Sequence, residues 1–305
     1  MSTTHEEIGD QNRGGNRCRA SESVTRWQRL SPSRIAAALR LRSSLALGFG
    51  DPRYDAFVIG FPKVGNTWFQ VMLRKLLVTH YGLDESFVSK ICAPRDRLPA
   101  ATPAVQITHA MPGLDSEPWQ QMTIELATFR RKKIILLIRE PKDTMVSYYM
   151  QNRFRESPPH FEGTIEEMVH DEVFGLDKYL RFYSVWSEEG RKSSEILLIR
   201  YEDMHADAHD VIQRTADFLG LHDVAAQTIE DAVAYGSFDN MRKLEETDAL
   251  GLYTLSRPTS EDKRARKVRR GRVGGYREEL SDELAGYIDE RVRNDLPAFY
   301  GYPLR

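Results

Sequence analysis

Short apolar runs alternate with helical patterns from residue 55 onward, an order typical of a parallel sheet that is covered by helices. Four of these runs are too short for an amphipathic helix, and three of them are apolar throughout, as buried parallel strands tend to be. The predicted strands are Phe57–Phe61, Val105–Thr108, Ile134–Ile138 and Ile196–Ile199. The pattern therefore predicts an α/β fold with a central parallel sheet flanked by helices.

Helical periodicity and capping residues indicate where the helices lie. Over Phe69–Leu77 the apolar residues recur at i, i+3, i+4, i+7 and i+8, which gives a single apolar stripe. Pro141 suits the first turn of a second helix, and Ser281, followed by two acidic residues, is typical of an N-cap. Further helices are predicted over Leu176–Trp186 and Val211–Leu219.

The rest of the chain divides into long loops and a polar leader. Two stretches without periodicity, Arg153–Gly163 and Glu246–Gly275, are predicted loops of the kind that carries binding function in α/β folds. Residues 1–25 are rich in Gly, Asn, Glu, Arg and Ser and predict a disordered leader. Residues 26–305 are then expected to form one domain, with ample chain to bury a sizeable core.

Composition favours a globular protein of a reducing compartment. Hydrophobic residues make up 41% of the 305 residues and charged residues 29%, which excludes collagen-like and wholly disordered chains. Two cysteines, Cys18 and Cys92, are too few for a disulfide framework. The sequence shows neither an apolar signal segment at its start nor the run of ~20 apolar residues that a spanning helix needs. We therefore expect a cytoplasmic protein without a membrane partner.

One segment departs from the near-neutral charge of the chain. The net charge is −2, yet Lys263–Arg272 reads KRARKVRRGR and holds seven basic residues and no acid. Without these seven, the remainder carries 36 basic against 45 acidic residues. Such a segment is typical of a solvated loop, of a nuclear-localisation signal or of a nucleic-acid patch. A concentrated positive charge in an otherwise acidic chain also suggests that the segment binds an anion.

The first predicted strand leads into GFPKVGNTW, from Gly60 to Trp68, and then into a helix. A glycine-containing turn between strand and helix cradles phosphate, because free N–H groups and the helix dipole both face the anion. The two glycines have the spacing of a Walker A loop, but Asn66 stands where that loop has its lysine, and Lys63 lies inside the turn instead. Thr67 keeps the hydroxyl. The fold is therefore predicted to be P-loop-like, with a displaced lysine.

Two other side chains lie at the ends of predicted strands, and a third lies on the helix that follows one of them. Arg139 follows the third strand, and Ser147 lies on the next helix, so that a guanidinium and a hydroxyl can converge on one phosphate. His109 ends the second strand, at the sheet edge where ligands bind in open α/β folds. A neutral imidazole near pH 7 suits removal of a proton from a hydroxyl.

These motifs resemble those of the cytosolic sulfotransferase family. The family loop Y-P-K-S-G-T-T-W stands here as FPKVGNTW, and the second family motif, R-N-P-K-D-x-x-V-S-Y-Y, appears as REPKDTMVSYY over Arg139–Tyr149. The family segment R-K-G-x-x-G-D-W corresponds to RRGRVGGY over Arg269–Tyr276. His109 lies in a segment similar to K-T-H-L-P, although Ile107 replaces the lysine of that motif.

The resemblance implies a cofactor and a set of site residues. The cofactor is 3′-phosphoadenosine 5′-phosphosulfate (PAPS), which leaves as adenosine 3′,5′-bisphosphate (PAP), and no metal is needed. His109 is implied as the catalytic base, and Lys63 as the group that stabilises the leaving oxygen, held back by Ser147 until the acceptor binds. The implied cofactor contacts are Lys63, Val64, Gly65, Asn66, Thr67 and Trp68 around the 5′ end, Arg139, Ser147, Arg269, Arg270 and Gly271 around the 3′-phosphate, and Tyr201, Ser237 and Phe238 around adenine.

The acceptor is predicted only by class. A small molecule with a hydroxyl or amine is expected, and the predicted loops suggest an apolar or aromatic alcohol or phenol through Met150, Phe154, Phe161 and Tyr253. The sequence leaves the oligomeric state open. Two other functions also stay open: a P-loop-type small-molecule or nucleotide kinase, and a nucleic-acid-binding module built on Lys263–Arg272. The sulfotransferase hypothesis itself predicts no nucleic-acid partner.

Overall fold

The central sheet is parallel, as predicted. The computed structural model describes residues 50–258 and 260–302, and the strands found there are β1 (Ala56–Gly60), β2 (Val105–Thr108), β3 (Lys133–Ile138) and β4 (Glu195–Arg200). They pair in parallel in the order β2-β1-β3-β4. The predicted strand positions are confirmed, with ends that differ by at most one residue. The predicted leader, residues 1–25, lies outside the described residues, so that prediction and the single domain over 26–305 remain predictions.

The apolar strands are central because they are covered on both faces. All five residues of β1 are buried, and five of the six in β3 are buried, whereas the outer strands β2 and β4 are mostly half-buried. Buried parallel strands select uniformly apolar side chains, which is why the sequence pattern was strongest for β1 and β3.

Helices and short turns surround the sheet. The α-helices are α1 (Asn66–His80), α2 (Pro141–Met150), α3 (Ile165–Val169), α4 (Leu176–Val185), α5 (Arg191–Ser193), α6 (Tyr201–Ala206), α7 (Ala208–Leu219), α8 (Ala226–Tyr235), α9 (Phe238–Thr247) and α10 (Asp282–Asp295). Two π-turns, Gln151–Arg155 and Trp186–Gly190, continue α2 and α4. Helix α1 packs against α8, and α7 packs on β3 and β4. Among the described residues, no helix is long and apolar enough to cross a bilayer.

The capping signals read from the sequence are confirmed. Pro141 occupies the first turn of α2, and the side chain of Ser281 accepts a hydrogen bond from Leu284 N at 3.1 Å at the start of α10. Helix α4 is one residue shorter than predicted, because the chain changes to the π-turn at Trp186. The first predicted loop is also shorter, since the π-turn at the end of α2 extends to Arg155.

The strand order creates a binding crevice. After β1 the chain pairs first with β2 on one side and later with β3 on the other, so the connections leave β1 and β3 in opposite directions. The carboxyl ends of neighbouring strands at such a reversal form the crevice in which open α/β sheets bind ligands. The phosphate-loop turn begins at Gly60, at the carboxyl end of β1, and Arg139 directly follows the carboxyl end of β3, so both border this crevice.

Candidate active site

A cavity of about 610 Å³ opens at the carboxyl ends of the strands. Its wall includes most of the site residues predicted from the sequence: Lys63, Gly65, Asn66, Thr67, Trp68, His109, Arg139, Ser147, Tyr201, Phe238, Arg269, Arg270 and Gly271. Val64 is buried in the core, and Ser237 is the N-cap residue of α9, and neither lines the cavity. Their roles as cofactor contacts remain predictions.

The turn between β1 and α1 has the shape of a phosphate loop. Asn66 Nδ2 donates a hydrogen bond to Phe61 O at 2.8 Å, which closes the turn on itself. Gly65 has φ 99°, and a Cβ there would lie 2.7 Å from the ring of Tyr201 and 2.9 Å from Met204 Cε. The position therefore requires glycine both for its backbone conformation and for the close approach of α6.

Replacing Gly65 by alanine is expected to lower the free energy of unfolding by more than the strain of a positive φ accounts for. A positive φ costs a non-glycine residue about 1–2 kcal/mol, and overpacking against Tyr201 adds typically about 1–3 kcal/mol. Gly82→Ala is the matched control, because Gly82 also has a positive φ (59°) but no atom within 4 Å of the added Cβ. Equal losses of unfolding free energy in the two variants would contradict the steric argument.

His109 is held in the tautomer that a general base needs. Its Nδ1 lies 2.8 Å from Gly60 O, and because a carbonyl only accepts, Nδ1 carries the proton and Nε2 keeps a lone pair. Burial lowers the pKa of His109, and Lys267 and Lys63 lower it further, although the hydrogen bond to Gly60 acts in the opposite direction. The imidazole is therefore neutral near pH 7 and able to accept a proton.

Lys63 extends from the phosphate loop into the cavity. Its backbone has φ 70°, and its Nζ donates to Gln151 Oε1 at 3.1 Å. The partner of Lys63 in this structure is thus Gln151, and the role of Ser147 in holding Lys63 back remains a prediction. Gln151 lies one helical turn beyond Ser147, at the start of the π-turn, and its longer side chain reaches the ammonium. Burial, followed by the charges of Lys267 and Arg155, holds the pKa of Lys63 well below its usual range.

Arg139 lies beside the phosphate loop and has an unused donor. Its guanidinium lies 4.1 Å from the centroid of the Tyr201 ring and donates to Lys63 O at 3.4 Å and to Arg272 O at 3.2 Å. Its Nε is buried and finds no hydrogen-bond partner among the residues that the structure describes. A buried unpaired donor on a cation fits a bound anion, so the residues present fit a phosphorylated ligand.

Aromatic rings line the cavity beside Arg139. The centroids of Trp68 and Tyr201 are 5.6 Å apart, and the ring of His205 lies 4.8 Å from Trp68 and 4.7 Å from Tyr201. Phe238 lines the same cavity and packs over Gly271, whose added Cβ would lie 2.6 Å from Phe238 Cδ2. This group can stack a planar base. The sequence suggested only a surface position for His205, which it has, and missed its ring contacts.

The basic segment is folded against α2 by a buried acid. Asp143 accepts hydrogen bonds from Gly274 N at 2.7 Å and from Tyr276 N at 2.9 Å. Arg269 and Arg270 line the cavity, and both pair with Glu279, at 3.1 and 3.0 Å. The cavity wall thus carries two guanidinium groups that are held in place by the loop and by acidic partners.

The first half of the basic segment points elsewhere. Arg264 pairs with Asp262 at 2.7 Å, and Arg266 pairs with Glu246 at 3.0 Å. Lys267 differs from both, because it lines the cavity and its Nζ lies 3.2 Å from Gln151 Oε1. Lys267 and Gln151 were not identified from the sequence, although the density of basic residues gave a signal for the former.

Of the four residues predicted to line the pocket for the acceptor molecule, the structure places only one at the cavity. Tyr253 lines the cavity, but the other three do not. Met150 is buried, Phe154 lies under the guanidinium of Arg264 at 3.9 Å, and Phe161 packs against Phe174. Phe154 lies in the π-turn, where the sequence predicted a loop from Arg153 onward, and the π-turn places its ring outside the cavity.

The parallel sheet and the loop after its first strand place the protein in the P-loop-like α/β class. The chain belongs to the sulfotransferase family, because the model of the sulfotransferase domain matches residues 53–299. The predictions of this family and of a sulfotransferase enzyme are confirmed. Among residues 50–258 and 260–302, no group of three His, Cys, Asp or Glu side chains could hold a metal ion.

Known proteins similar to this chain include plant and mouse sulfotransferases. Cytosolic sulfotransferase 13 of Arabidopsis thaliana is 25% identical over 79% of this chain and 76% of its own. Flavonol 3-sulfotransferase of Flaveria bidentis is 24% identical over 80% of this chain and 82% of its own. The crystal structure of mouse sulfotransferase SULT7A1 complexed with PAP superposes on this chain with a TM-score of 0.55. The superposition covers 86% of this chain and 90% of the mouse chain, at 21% sequence identity.

Proposed function

We propose that the protein transfers a sulfuryl group from PAPS to a hydroxyl or amine of a small-molecule acceptor. The observation that supports this proposal most directly is the hydrogen bond from His109 Nδ1 to Gly60 O. It joins the base to the first residue of the phosphate loop and leaves Nε2 free. A relative of similar fold is the mouse sulfotransferase complexed with PAP, which supports the choice of donor.

The residues of the cavity fit the parts of this donor. The loop from Lys63 to Thr67 would hold the 5′-phosphosulfate, Arg139, Ser147, Arg269 and Arg270 the 3′-phosphate, and Trp68, Tyr201 and Phe238 the adenine. When bound, PAPS supplies the sulfuryl group to be transferred and a bisphosphate that leaves.

The chain itself supplies a base and positive charge. His109 Nε2 takes the proton of the acceptor hydroxyl, since the lowered pKa keeps the imidazole neutral. Lys63 Nζ stabilises the negative charge that develops at the leaving oxygen, in a cavity where burial strengthens electrostatic interactions. We infer that these cations suffice and that no metal takes part.

The acceptor class is proposed from the cavity wall and a relative. Tyr54, Met241, Leu252 and Tyr253 add apolar and aromatic surface to the cavity. Flavonol 3-sulfotransferase, one of the similar proteins, is named for a flavonol acceptor. We therefore propose an aromatic alcohol or phenol as acceptor. A cytoplasmic location is proposed by analogy with the relative named as cytosolic.

A transfer assay with labelled PAPS in the absence of magnesium, and with labelled ATP in the presence of magnesium, tests this function. A panel of phenols, aliphatic alcohols and amines is offered to the full chain, and we expect label to pass from PAPS to at least one phenol. Turnover of ATP without turnover of PAPS would contradict the proposal and favour a kinase.

PAP binding tests the nucleotide site without an acceptor. PAP at about 100 times its Kd is expected to raise the free energy of unfolding by about 2.7 kcal/mol, because it binds only the folded state. An unchanged unfolding temperature, together with salt-sensitive DNA or RNA binding that saturating PAP does not affect, would favour the nucleic-acid module instead.

A further inference from the structure

Two lysines from distant parts of the chain meet at one acceptor atom. Lys63 Nζ and Lys267 Nζ lie 3.1 and 3.2 Å from Gln151 Oε1. All three side chains line the cavity that contains His109. Two ammonium groups that share one oxygen repel each other, so this arrangement is stable only if something lowers the charge or an anion lies between them.

The shared acceptor does not lower the charge. Gln151 Nε2 donates to Glu156 Oε1 at 3.1 Å, which fixes the amide with its oxygen toward the lysines. An amide oxygen satisfies hydrogen bonds but carries no net charge. Across residues 50–258 and 260–302, neither lysine forms an ion pair with a carboxylate. No carboxylate of the described residues balances the two lysines, so in the free protein the lowered pKa of Lys63 relieves their repulsion, and an anion bound between them would relieve it while both keep their charge.

A buried acid fixes the backbone of Lys267 instead of its ammonium group. Glu245 accepts from Lys267 N at 2.6 Å and from Val268 N at 3.0 Å. Its carboxylate is also paired with Arg155 at 2.9 Å. Glu245 thus directs Lys267 into the cavity, and its own charge is already balanced by a guanidinium.

Lys267 still carries a proton near neutral pH. Burial, followed by the charge of Arg155, lowers the pKa of Lys267 to about 8, and the hydrogen bond with Lys63, followed by the charges of Glu156 and Glu245, acts in the opposite direction. A lysine with this pKa is mostly protonated at neutral pH and gives up its proton easily when no anion is present. Lys267 also lowers the pKa of His109, so its charge acts on the catalytic base.

We propose that Lys267 binds the sulfuryl oxygens of the donor and is a second catalytic cation beside Lys63. The two ammonium groups enter from different walls: Lys63 from the phosphate loop, and Lys267 from the loop that carries Arg269. A phosphosulfate carries one charge on each of its two groups, so a pair of cations side by side matches it. Ile107, in β2 two residues before His109, lines the cavity without a charge, and β2 contains no cationic side chain that could take this role. The inference rests on the proposed function.

The experiment compares PAPS with PAP, because the two ligands differ by the sulfuryl group alone. Affinities are measured by calorimetry, without acceptor, for the wild type, Lys267→Met, Lys267→Gln and Lys267→Arg. In the Met and Gln variants the affinity for PAPS is expected to fall about tenfold or more, because a charge-assisted hydrogen bond is lost, while the affinity for PAP stays unchanged. Lys267→Arg is expected to recover most of the loss.

The matched control is Lys263→Met, which removes an exposed lysine from the same segment. We expect it to leave both affinities and kcat at the wild-type values. In Lys267→Met, kcat for a phenol should fall as well, since the lost contact is to the transferring group.

Three outcomes would overturn the inference. Equal losses of PAP and PAPS affinity would show that Lys267 binds a phosphate of the nucleotide. Unchanged PAPS affinity with a higher KM only for acceptors that carry a carboxylate would place Lys267 in the acceptor site. Wild-type transfer from PAPS with full kcat in Lys267→Met would exclude it from catalysis. A wild type that binds neither PAP nor PAPS would overturn the proposed function itself.

Discussion

Replacing His109 by alanine is expected to lower kcat for sulfuryl transfer by about 10²–10⁴-fold, the usual contribution of a general base. The reason lies in the hydrogen bond from Nδ1 to Gly60 O, which leaves Nε2 as the acceptor of the hydroxyl proton. The affinity for PAP should stay unchanged, since the proposed role of the imidazole is to take a proton from the acceptor and not to bind the nucleotide. His222→Ala, at an exposed histidine, is the control and should keep wild-type turnover.

The pH dependence of the wild type provides a second measurement of the same role. A base is active only when deprotonated, so kcat/KM for PAPS should fall as the pH drops through the pKa of His109. Burial lowers this pKa below its ordinary value of 6.5, so the fall is expected below pH 6.5. In His109→Ala the remaining rate should not show this acid limb. Turnover within tenfold of the wild type, or an unchanged acid limb, would exclude His109 as the base.

The fold was predictable because its strongest signals are local. The central strands β1 and β3 are apolar, apart from Lys133 at the start of β3, since helices cover both faces of the sheet. Pro141 and Ser281 act on their own helices, within a few residues of their position. Such features depend on nearest neighbours and can therefore be read from one sequence.

The candidate site was predictable where its residues follow a strand. His109 and Arg139 each come at or directly after the end of a strand, and parallel strands bring their carboxyl ends together. The sequence therefore placed them in one crevice with Lys63, and the structure gives the same arrangement.

The remainder of the site depends on contacts between distant segments. Gln151 and Lys267 are 116 residues apart, and they meet because a π-turn redirects the first and Glu245 fixes the backbone of the second. The same π-turn removes Phe154 from the cavity. A π-turn has no reliable sequence pattern, and the partner of a buried acid is decided by tertiary packing, so neither could be predicted.

Replacing Lys63 by methionine is expected to lower kcat by about 10²–10³-fold, a loss of about 2.7–4 kcal/mol of transition-state stabilisation, as for the removal of one oxyanion donor. Methionine keeps the length and apolar stem of lysine, so packing around the phosphate loop is preserved. The positive φ of 70° at this position strains the backbone equally for lysine and for methionine, so the substitution adds no backbone strain. Loss of rate can therefore be assigned to the charge. Lys90→Met, at an exposed lysine, is the control and should change neither kcat nor stability.

Proton uptake distinguishes a lost charge from a distorted loop. Burial and Lys267 hold the pKa of Lys63 well below its usual range in the free protein, and a bound phosphate raises it again. PAP binding to the wild type at alkaline pH should therefore take up protons, measured by calorimetry in buffers of different ionisation enthalpy. This uptake should decrease in Lys63→Met, while the variant still binds PAP. Wild-type kcat in Lys63→Met would assign leaving-group stabilisation to another cation, and unchanged uptake would assign the titration to Lys267, the other lysine on Gln151.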